Sequence, residues 1–370
     1  CLYGVDKNVF AVDLAKLSLW LATLARDHPF TFLDHALRHG DSLVGLTREQ
    51  IASFHWQPGK QIELIRSSLQ GMLQDATEKR AALHALGDTG DTGEKHRLHE
   101  EARKALQDAR LCADLVIAAF FGKGKDKERE ALRVIHRDQL LAVLEDRMSA
   151  QTLDQIVADL YEGPKPVPPF HWEIEFPEVF SRDNPGFDAF VGNPPFAGKN
   201  TLIASTRGAY PDWLKTVHEE THGNADLIAH FFRRAFAKLR SGGAFGLIAT
   251  NTIAQGDTRG TGLRWICTHG GTIYAARKRV KWPAGAAVIV SVVHVAKNAQ
   301  PKPFVLDDRE VARITAFLFH DGGHDDPAPL GANVNRSFIG SYVLGMGFTF
   351  DDENPDATPL AEMERLIAKD

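Results

Sequence analysis

Two hydrophobic periodicities take turns along the chain. Leu2 to Asp6 is a short apolar run closed by an acid. From Asn8 onward Leu14, Leu17, Leu21 and Leu24 recur on one helical face, so the opening reads as strand, turn and helix. "LRHGDSLVG" (37–45) adds a second short element that ends in a turn at His39-Gly40-Asp41. Between about Gln57 and Tyr161 charges become dense, β-branched residues thin out and helical spacing takes over. The break "GDTGDTG" (87–93) suits a turn between two antiparallel helices, and "EGPKPVPPF" (162–170) reads as a rigid linker that ends the helical region.

Strand signals then return. "FDAFVGN" (187–193) precedes an amphipathic helix "ADLIAHFFRRAFAKLR" (225–240), a Ser-Gly-Gly stop at 241–243, and the strand "AFGLIATN" (244–251). A helix around Leu263 to Cys267 leads to "GTIYAAR" (271–277), and "AAVIVSVVHVAK" (286–297) has the β-branched density of a buried strand. Strands alternating with helices predict an α/β chain with a doubly wound, mostly parallel, Rossmann-like sheet interrupted by an α-helical insertion. The expected divisions are 1–56 and 162–300 for the two parts of the α/β core, 57–161 for the insertion, and 301–370 for a C-terminal extension.

Bulk properties narrow the class only a little. The 370 residues are 44% hydrophobic and 25% charged with a formal charge of −5, which argues against a general basic nucleic-acid coat but leaves room for a local basic face. No apolar run reaches the roughly 18 residues that span a bilayer, so a cytoplasmic protein with no membrane partner is expected. Cys1, Cys112 and Cys267 are isolated and lack metal-ligand spacing, so neither a disulfide framework nor a metal site is expected. "HRD" at 136–138 lacks the Asn of a kinase catalytic loop. His96 with His99, and "HDGGHDD" (320–326), lack a complete ligand set.

In an open parallel sheet ligands gather at the carboxyl ends of strands. Three strand ends carry side chains suited to that: Asp6, Asp41 and the tetrapeptide Asn193-Pro194-Pro195-Phe196. A carboxylate after a strand can accept from both hydroxyls of a ribose, although Asp6 could equally cap the helix that starts at Asn8. Two prolines fix the backbone and donate no hydrogen bond, which frees nearby carbonyls to face a cleft. The tetrapeptide therefore gathers an amide side chain, a free carbonyl and an aromatic face. That trio suits a planar ligand bearing an exocyclic amino group, the other reading being a plain proline turn with Phe196 in the core.

"YGVDKNVFAVDLAKLSLWLATL", "HGDSL", "FHWEIEFPEVF", "FDAFVGNPPF" and "WPAGAAVIVSVVHV" occur in the order found in amino-group DNA methyltransferases. The chain resembles the N6-adenine type, and among those the large bacterial enzymes of restriction-modification and phage-defence systems. The resemblance covers most of residues 1–56 and 168–297. It implies S-adenosylmethionine as cofactor, double-stranded DNA with a flipped adenine as substrate, and restriction or defence-system subunits as partners. By the same resemblance Asp6, with Lys7 beside it, matches the acid that binds the cofactor ribose, and Asp41 with Ser42 matches the contact near its adenine amino group. Asn193 and the carbonyl of Pro194 match the acceptors for the target amino group, Pro195 completes the rigid corner, and Phe196 matches the ring that stacks on the flipped base.

Cytosine-N4 methylation uses a similar pocket but more often has Ser before the prolines. A DNA-binding scaffold without catalysis would keep only the fold. Arg277, Lys278, Arg279 and Lys281 form the densest basic cluster and read as phosphate contacts, as does Lys199. Trp282 falls close to where the family carries an aromatic contact to the flipped base, or else packs against the sheet. "NRSFIGSYVLGMGFTF" (335–350) looks like the lead into a DNA-recognition region. The glycine-rich loop that the family carries ahead of residue 2 is not among these residues. With Cys rather than Met at position 1 and a strand already at residues 2–6, the chain is read as an internal piece, and without that loop it is expected to bind cofactor weakly and to turn over slowly or not at all by itself.

Overall fold

The computed structural model describes residues 2–22, 33, 35–86, 92–282, 289–328, 331 and 349–369. It divides into one unit spanning Cys1–His324 and a second spanning Asp325–Asp370. In the second, a bridge between Phe350 and Thr358 precedes the helix Leu360–Ile367, and "NRSFIGSYVLGMGFTF" lies almost wholly outside the described residues.

In the first unit β1 (Gly4–Asp6) and β2 (Leu37–His39) pair in parallel, and Asp41 bridges onward to Pro169. A separate six-stranded sheet holds β3 (Phe187–Gly192), β4 (Leu239–Thr250), β5 (Gly271–Lys281), β6 (Ile289–Lys297), β7 (Phe304–Leu306) and β8 (Arg309–Val311). Its order is β3-β4-β6-β5-β7-β8. The expectation of a mostly parallel sheet needs correction, because β6 runs antiparallel to both β4 and β5 and β8 runs antiparallel to β7. Only seven residues separate β5 from β6 in the sequence, too few for the crossover that a parallel pair requires. The sheet also continues past residue 300: Asp307 and Asp308 both take positive φ, the geometry of a two-residue hairpin, and close β7 onto β8.

Ser241-Gly242-Gly243, expected as a stop, lies inside β4 at a shift of register against β3. Gly242 has φ +78, and a Cβ at Gly243 would stand 2.9 Å from the Phe187 carbonyl, so the glycines bend the strand without ending it. β4 then alternates cleanly, with Phe245, Leu247 and Ala249 buried against Phe232 and Phe236 of the helix Leu227–Lys238. The helix Val9–Ala22 departs from its expected role. Leu14, Leu17 and Leu21 are exposed and only Val12 is buried, because the helix packs mainly against the short strands β1 and β2 among the described elements.

The helical region comprises Glu63–Ala85, Thr92–Phe121, Asp126–Leu144 and Gln151–Tyr161. It shares one apolar core with residues 43–56: Leu43, Ile51, Phe54 and Trp56 pack with Leu106, Val116, Phe120 and Trp213. The supposed linker helps to join these parts. Val167 to Phe170 are buried, Asp41 N–H donates to the Pro168 carbonyl and Phe170 N–H donates to that of Val44. Gly45 is required at this crossing, since a Cβ there would meet the Phe170 carbonyl oxygen at 2.1 Å.

Beyond β3 the corner at 193–196 is anchored by Asp226. Its Oδ1 accepts from Ile228 N–H at 3.0 Å, capping the Leu227–Lys238 helix, and from Ala197 N–H at 3.3 Å, while Leu227 N–H donates to the Ala197 carbonyl. The segment after the prolines is thereby pinned to a helix N-terminus. Asp226→Ala is expected to cost about 1 kcal/mol in urea unfolding and to speed amide exchange at Ala197 and Leu227, with Asp226→Asn close to wild type. Unaltered exchange at Ala197 in the Ala variant would show that the pin is idle.

Acid should unfold the protein in two stages. His218 and His230 are buried with their Nδ1 atoms 2.8 Å apart. Burial first, and Arg233 and Arg234 next, hold His230 down to about 3, and His218 is likewise well below its ordinary value. Unfolded imidazoles take up protons near 6.5, so stability is lost as pH falls below that point. Burial by itself would raise Glu175, but Arg110 and Arg38 bring it down to about 2, so its contribution is present above pH 4.5 and lost as pH falls toward 2. Thermal midpoints measured across pH should decline from 6.5 and again below 4.5. A His218→Asn, His230→Asn double variant should keep only the second decline, and an unchanged slope between pH 6.5 and 5 would refute the assignment.

Candidate functional site

Asp6 closes β1 as an exposed carboxylate. Its Oδ1 accepts the Asn8 N–H at 2.7 Å, so the helix-capping role is present, while Oδ2 makes no hydrogen bond among the described residues. Asn8 in turn accepts from Phe10 N–H. One oxygen orders the helix start and the other is exposed and unspent among the described residues.

Asp41 is different in kind. It is 4% exposed, and both carboxylate oxygens are engaged: Tyr210 OH donates at 3.0 Å to each, Lys7 Nζ lies 2.9 Å from Oδ2, and Leu43 N–H reaches Oδ1 at 3.2 Å. Burial and the Asp41 charge together push the Tyr210 phenol well up, so it stays a donor. Lys7 thus sits on Asp41 rather than beside Asp6 as a separate contact, with its ammonium also 5.5 Å above the Tyr210 ring. Ser42 is half-buried and its carbonyl accepts from Trp172 Nε1, whereas the Leu43 carbonyl accepts from both Trp213 Nε1 and Arg234. Arg234 is half-buried, and burial lowers its guanidinium to about 10.

Tyr210, Trp213 and Arg234 carry no motif that singles them out in the sequence. Only their placement shows that residues 41–43 are held by the stretch that follows the proline corner. "GAYPDWL" does carry one local signal, a proline in the first turn of the helix Tyr210–Val217, but nothing there names Asp41 as the partner.

At the corner Asn193 and Pro195 are exposed and Pro194 and Phe196 half-buried. The Asn193 amide and the Pro194 carbonyl make no hydrogen bond among the described residues. Phe196 lays part of its ring on the cluster formed by Phe232, Phe245, Ile253 and Leu318, which leaves the rest uncovered. Neither simple alternative holds fully: the ring is not sealed in the core, and the polar groups are not spent within the turn.

The basic cluster is smaller in effect than its sequence suggests. Arg277 pairs with Asp308, and Lys278 Nζ lies 3.6 Å from Asp307 Oδ2, so the β7–β8 turn neutralises two of the four cations. Arg279 and Lys281 are exposed and form no ion pair among the described residues. Lys199 opens the helix Lys199–Ser205 and donates to Asn224 Oδ1 at 3.1 Å. Trp282 is half-buried at the end of β5, and residues 283–288 after it lie outside the described residues. β4 and β6 stand between β3 and β5 in the sheet, so Trp282 and Phe196 follow strands that are not neighbours.

A family model described as Eco57I restriction-modification methylase matches residues 1–269. A Methanocaldococcus jannaschii protein assigned as a type II restriction enzyme and methyltransferase is 22% identical over 295 residues. The match covers 71% of this chain and 22% of the relative, so the chain spans about a fifth of that protein's length. Among solved structures, the type IIL restriction-modification enzyme MmeI, in complex with DNA, is similar over 46% of this chain and 25% of its own. The identity is 16% and the TM-score 0.33. A Listeria monocytogenes protein assigned as a class I S-adenosylmethionine-dependent methyltransferase is similar over 65% of this chain and 92% of its own, at 11% identity and a TM-score of 0.26. With the family model matching well over half of its residues, the chain belongs to the Eco57I restriction-modification methylase family.

Proposed function

We propose that this chain carries the catalytic corner of a DNA methyltransferase that transfers a methyl group from S-adenosylmethionine to the N6 amino group of adenine. The observation that supports this reading best is the pair of unspent acceptors, the Asn193 amide oxygen and the Pro194 carbonyl, beside a partly bare Phe196 ring. The neighbouring Ala197 N–H and carbonyl are spent on Asp226 and on Leu227 N–H, whereas these two acceptors stay open among the described residues.

The residues present fit the cofactor unequally. Asp6 has one oxygen free for a ribose diol. Asp41 has no acceptor position to spare unless half-exposed Lys7 or Tyr210 turns away, so its role toward the adenine amino group is better filled indirectly, by fixing the backbone of Ser42 and Leu43. When bound, S-adenosylmethionine supplies an electrophilic methyl group on a sulfonium.

An adenine amino nitrogen is a poor nucleophile because its lone pair is delocalised into the ring. Hydrogen bonds from both of its N–H groups to Asn193 and Pro194 favour a pyramidal nitrogen with the lone pair directed outward. They strengthen as positive charge grows there, so the corner holds the transition state more tightly than the ground state. With the cofactor bound, Asn193 and the Pro194 carbonyl would hold the amino nitrogen as it takes the methyl group from the sulfonium, and the nitrogen would then lose its extra proton to water. Phe196 offsets part of the stacking lost when the base leaves the duplex. Arg279 and Lys281 are the cations best placed to hold phosphates.

The test uses a polypeptide long enough to include the glycine-rich loop that the resemblance sets ahead of residue 2. Incubation with methyl-tritiated cofactor and DNA, followed by digestion to nucleosides, should place label in N6-methyladenine. Label in N4-methylcytosine would refute adenine as the target, and no label would refute catalysis. Asn193→Ala should lower transfer at least 100-fold while DNA binding stays within twofold. The 370-residue chain alone should bind cofactor weakly.

A further inference from the structure

A cavity of about 550 Å³ opens beside the far ends of β4 and β5, lined by Asn251, Gln255, Lys278, Arg279, Phe317 and Phe319 among others. None of residues 193–196 lines it. We propose that it takes one unpaired nucleobase of the DNA strand together with its phosphate, next to the base presented at Asn193–Phe196. This rests on the reading of the chain as a DNA methyltransferase.

The two phenyl rings are built for display. Leu318 lies between them, fully buried with φ +56, and the loop is closed by Leu318 N–H to the Thr315 carbonyl at 2.8 Å and Thr315 N–H to the Phe319 carbonyl at 2.9 Å. A branched residue in the left-handed region is strained, and burying it fixes the neighbours on either side. Phe317 and Phe319 are left parallel to within 9°, centroids 6.3 Å apart. Phe319 is 56% exposed, a bare aromatic that folding does not account for. Cations attend both rings, with the Arg259 guanidinium 3.9 Å from the Phe317 centroid and Lys278 Nζ 5.1 Å from that of Phe319.

The polar lining matches a nucleotide. Lys278 and Arg279 against Asp307 leave a net single positive charge, suited to one phosphate diester. Asn251 spends its carbonyl on Ser291 Oγ at 2.9 Å, which leaves its NH₂ for a base edge, and exposed Gln255 offers a second amide. A paired base shows no face to an aromatic ring, so the occupant is unpaired. Its position next to the corner follows from the sheet. β3 pairs with β4 through Gly192 and Leu247, so Asn193 lies alongside the strand that ends at Thr250, and Phe196 packs on the same apolar cluster as Ala254 and Leu318.

The test is fluorescence anisotropy of the full chain with a fluorescein-labelled mixed-sequence 12-nucleotide single strand and with its fully paired duplex, at one salt concentration. Phe319→Ala should weaken single-strand binding roughly tenfold, Phe319→Trp should preserve it, and duplex binding should change less than twofold for either. A 2-aminopurine in the single strand should be quenched by wild type and the Trp variant but not by the Ala variant. No single-strand binding by wild type, or equal binding and quenching by Phe319→Ala, would overturn the proposal. Asn193→Ala separates the two readings, since it should abolish methyl transfer and leave single-strand binding intact. Methylation without Phe319 dependence would remove only this site, and Phe319 dependence without methylation would remove only the proposed catalysis.

Discussion

The buried charges of residues 171–178 are the interaction on which the rest of the fold depends. Along "HWEIEFPE" the aromatic side chains face one way, Trp172 and Phe176 joining Tyr3, Phe170 and Phe187, while the ionic ones face another. His171 takes Leu46 N–H on Nδ1 and meets Asp114 through Nε2, Glu173 takes Lys238 and Arg48 N–H, Glu175 holds Arg110, and Glu178 holds Arg80. Four separate parts of the chain are thus tied to eight residues. Such pairs add little net stability over apolar packing, but breaking one leaves a buried charge without its partner, which penalises any other arrangement of the same elements.

The consequence reaches the site. Arg48, Leu46 and Val44 belong to the stretch that follows Asp41, and Lys238 ends the helix whose start is capped by Asp226. Asp41 and the proline corner are thereby positioned by a common joint, although they are far apart in sequence. Asp41 then acts as an internal fastening, its oxygens consumed by Tyr210, Lys7 and a backbone N–H, and Asp6 alone keeps an oxygen in reserve. Two acids that look alike in sequence divide into a structural one and an available one because one is enclosed and the other is not.

Much of this was legible from pattern. The β-branched run of β6, the alternation of β4, the helix after Asp226 and the abrupt end of β3 at Asn193 all follow from local chemistry, and so does the candidate trio of amide, carbonyl and ring. What was hidden depends on partners distant in the chain. Tyr210 is 169 residues from Asp41, and Arg234 is 191 from Leu43, so no periodicity could pair them. The neutralisation of Arg277 and Lys278 was hidden for the same reason, since Asp307 and Asp308 arrive on a hairpin of three-residue strands too short to register. Its Asp-Asp turn was the one available clue. The direction of β6 was readable in principle from the shortness of the link that precedes it.

Rigidity and availability usually oppose each other in a loop, because the hydrogen bonds that fix a backbone consume the groups a ligand would need. The corner at 193–196 escapes that conflict by dividing the tasks. Pro194 and Pro195 restrict φ covalently and bring no N–H to satisfy, Asp226 pins the chain one residue beyond Phe196, and the apolar cluster under Phe196 sets the ring. Order is supplied by ring closure, by a cap and by packing, none of which uses the Asn193 amide or the Pro194 carbonyl. The Pro194 carbonyl is therefore held by the covalent restriction of the chain on either side of it, and the Asn193 amide stays unspent among the described residues.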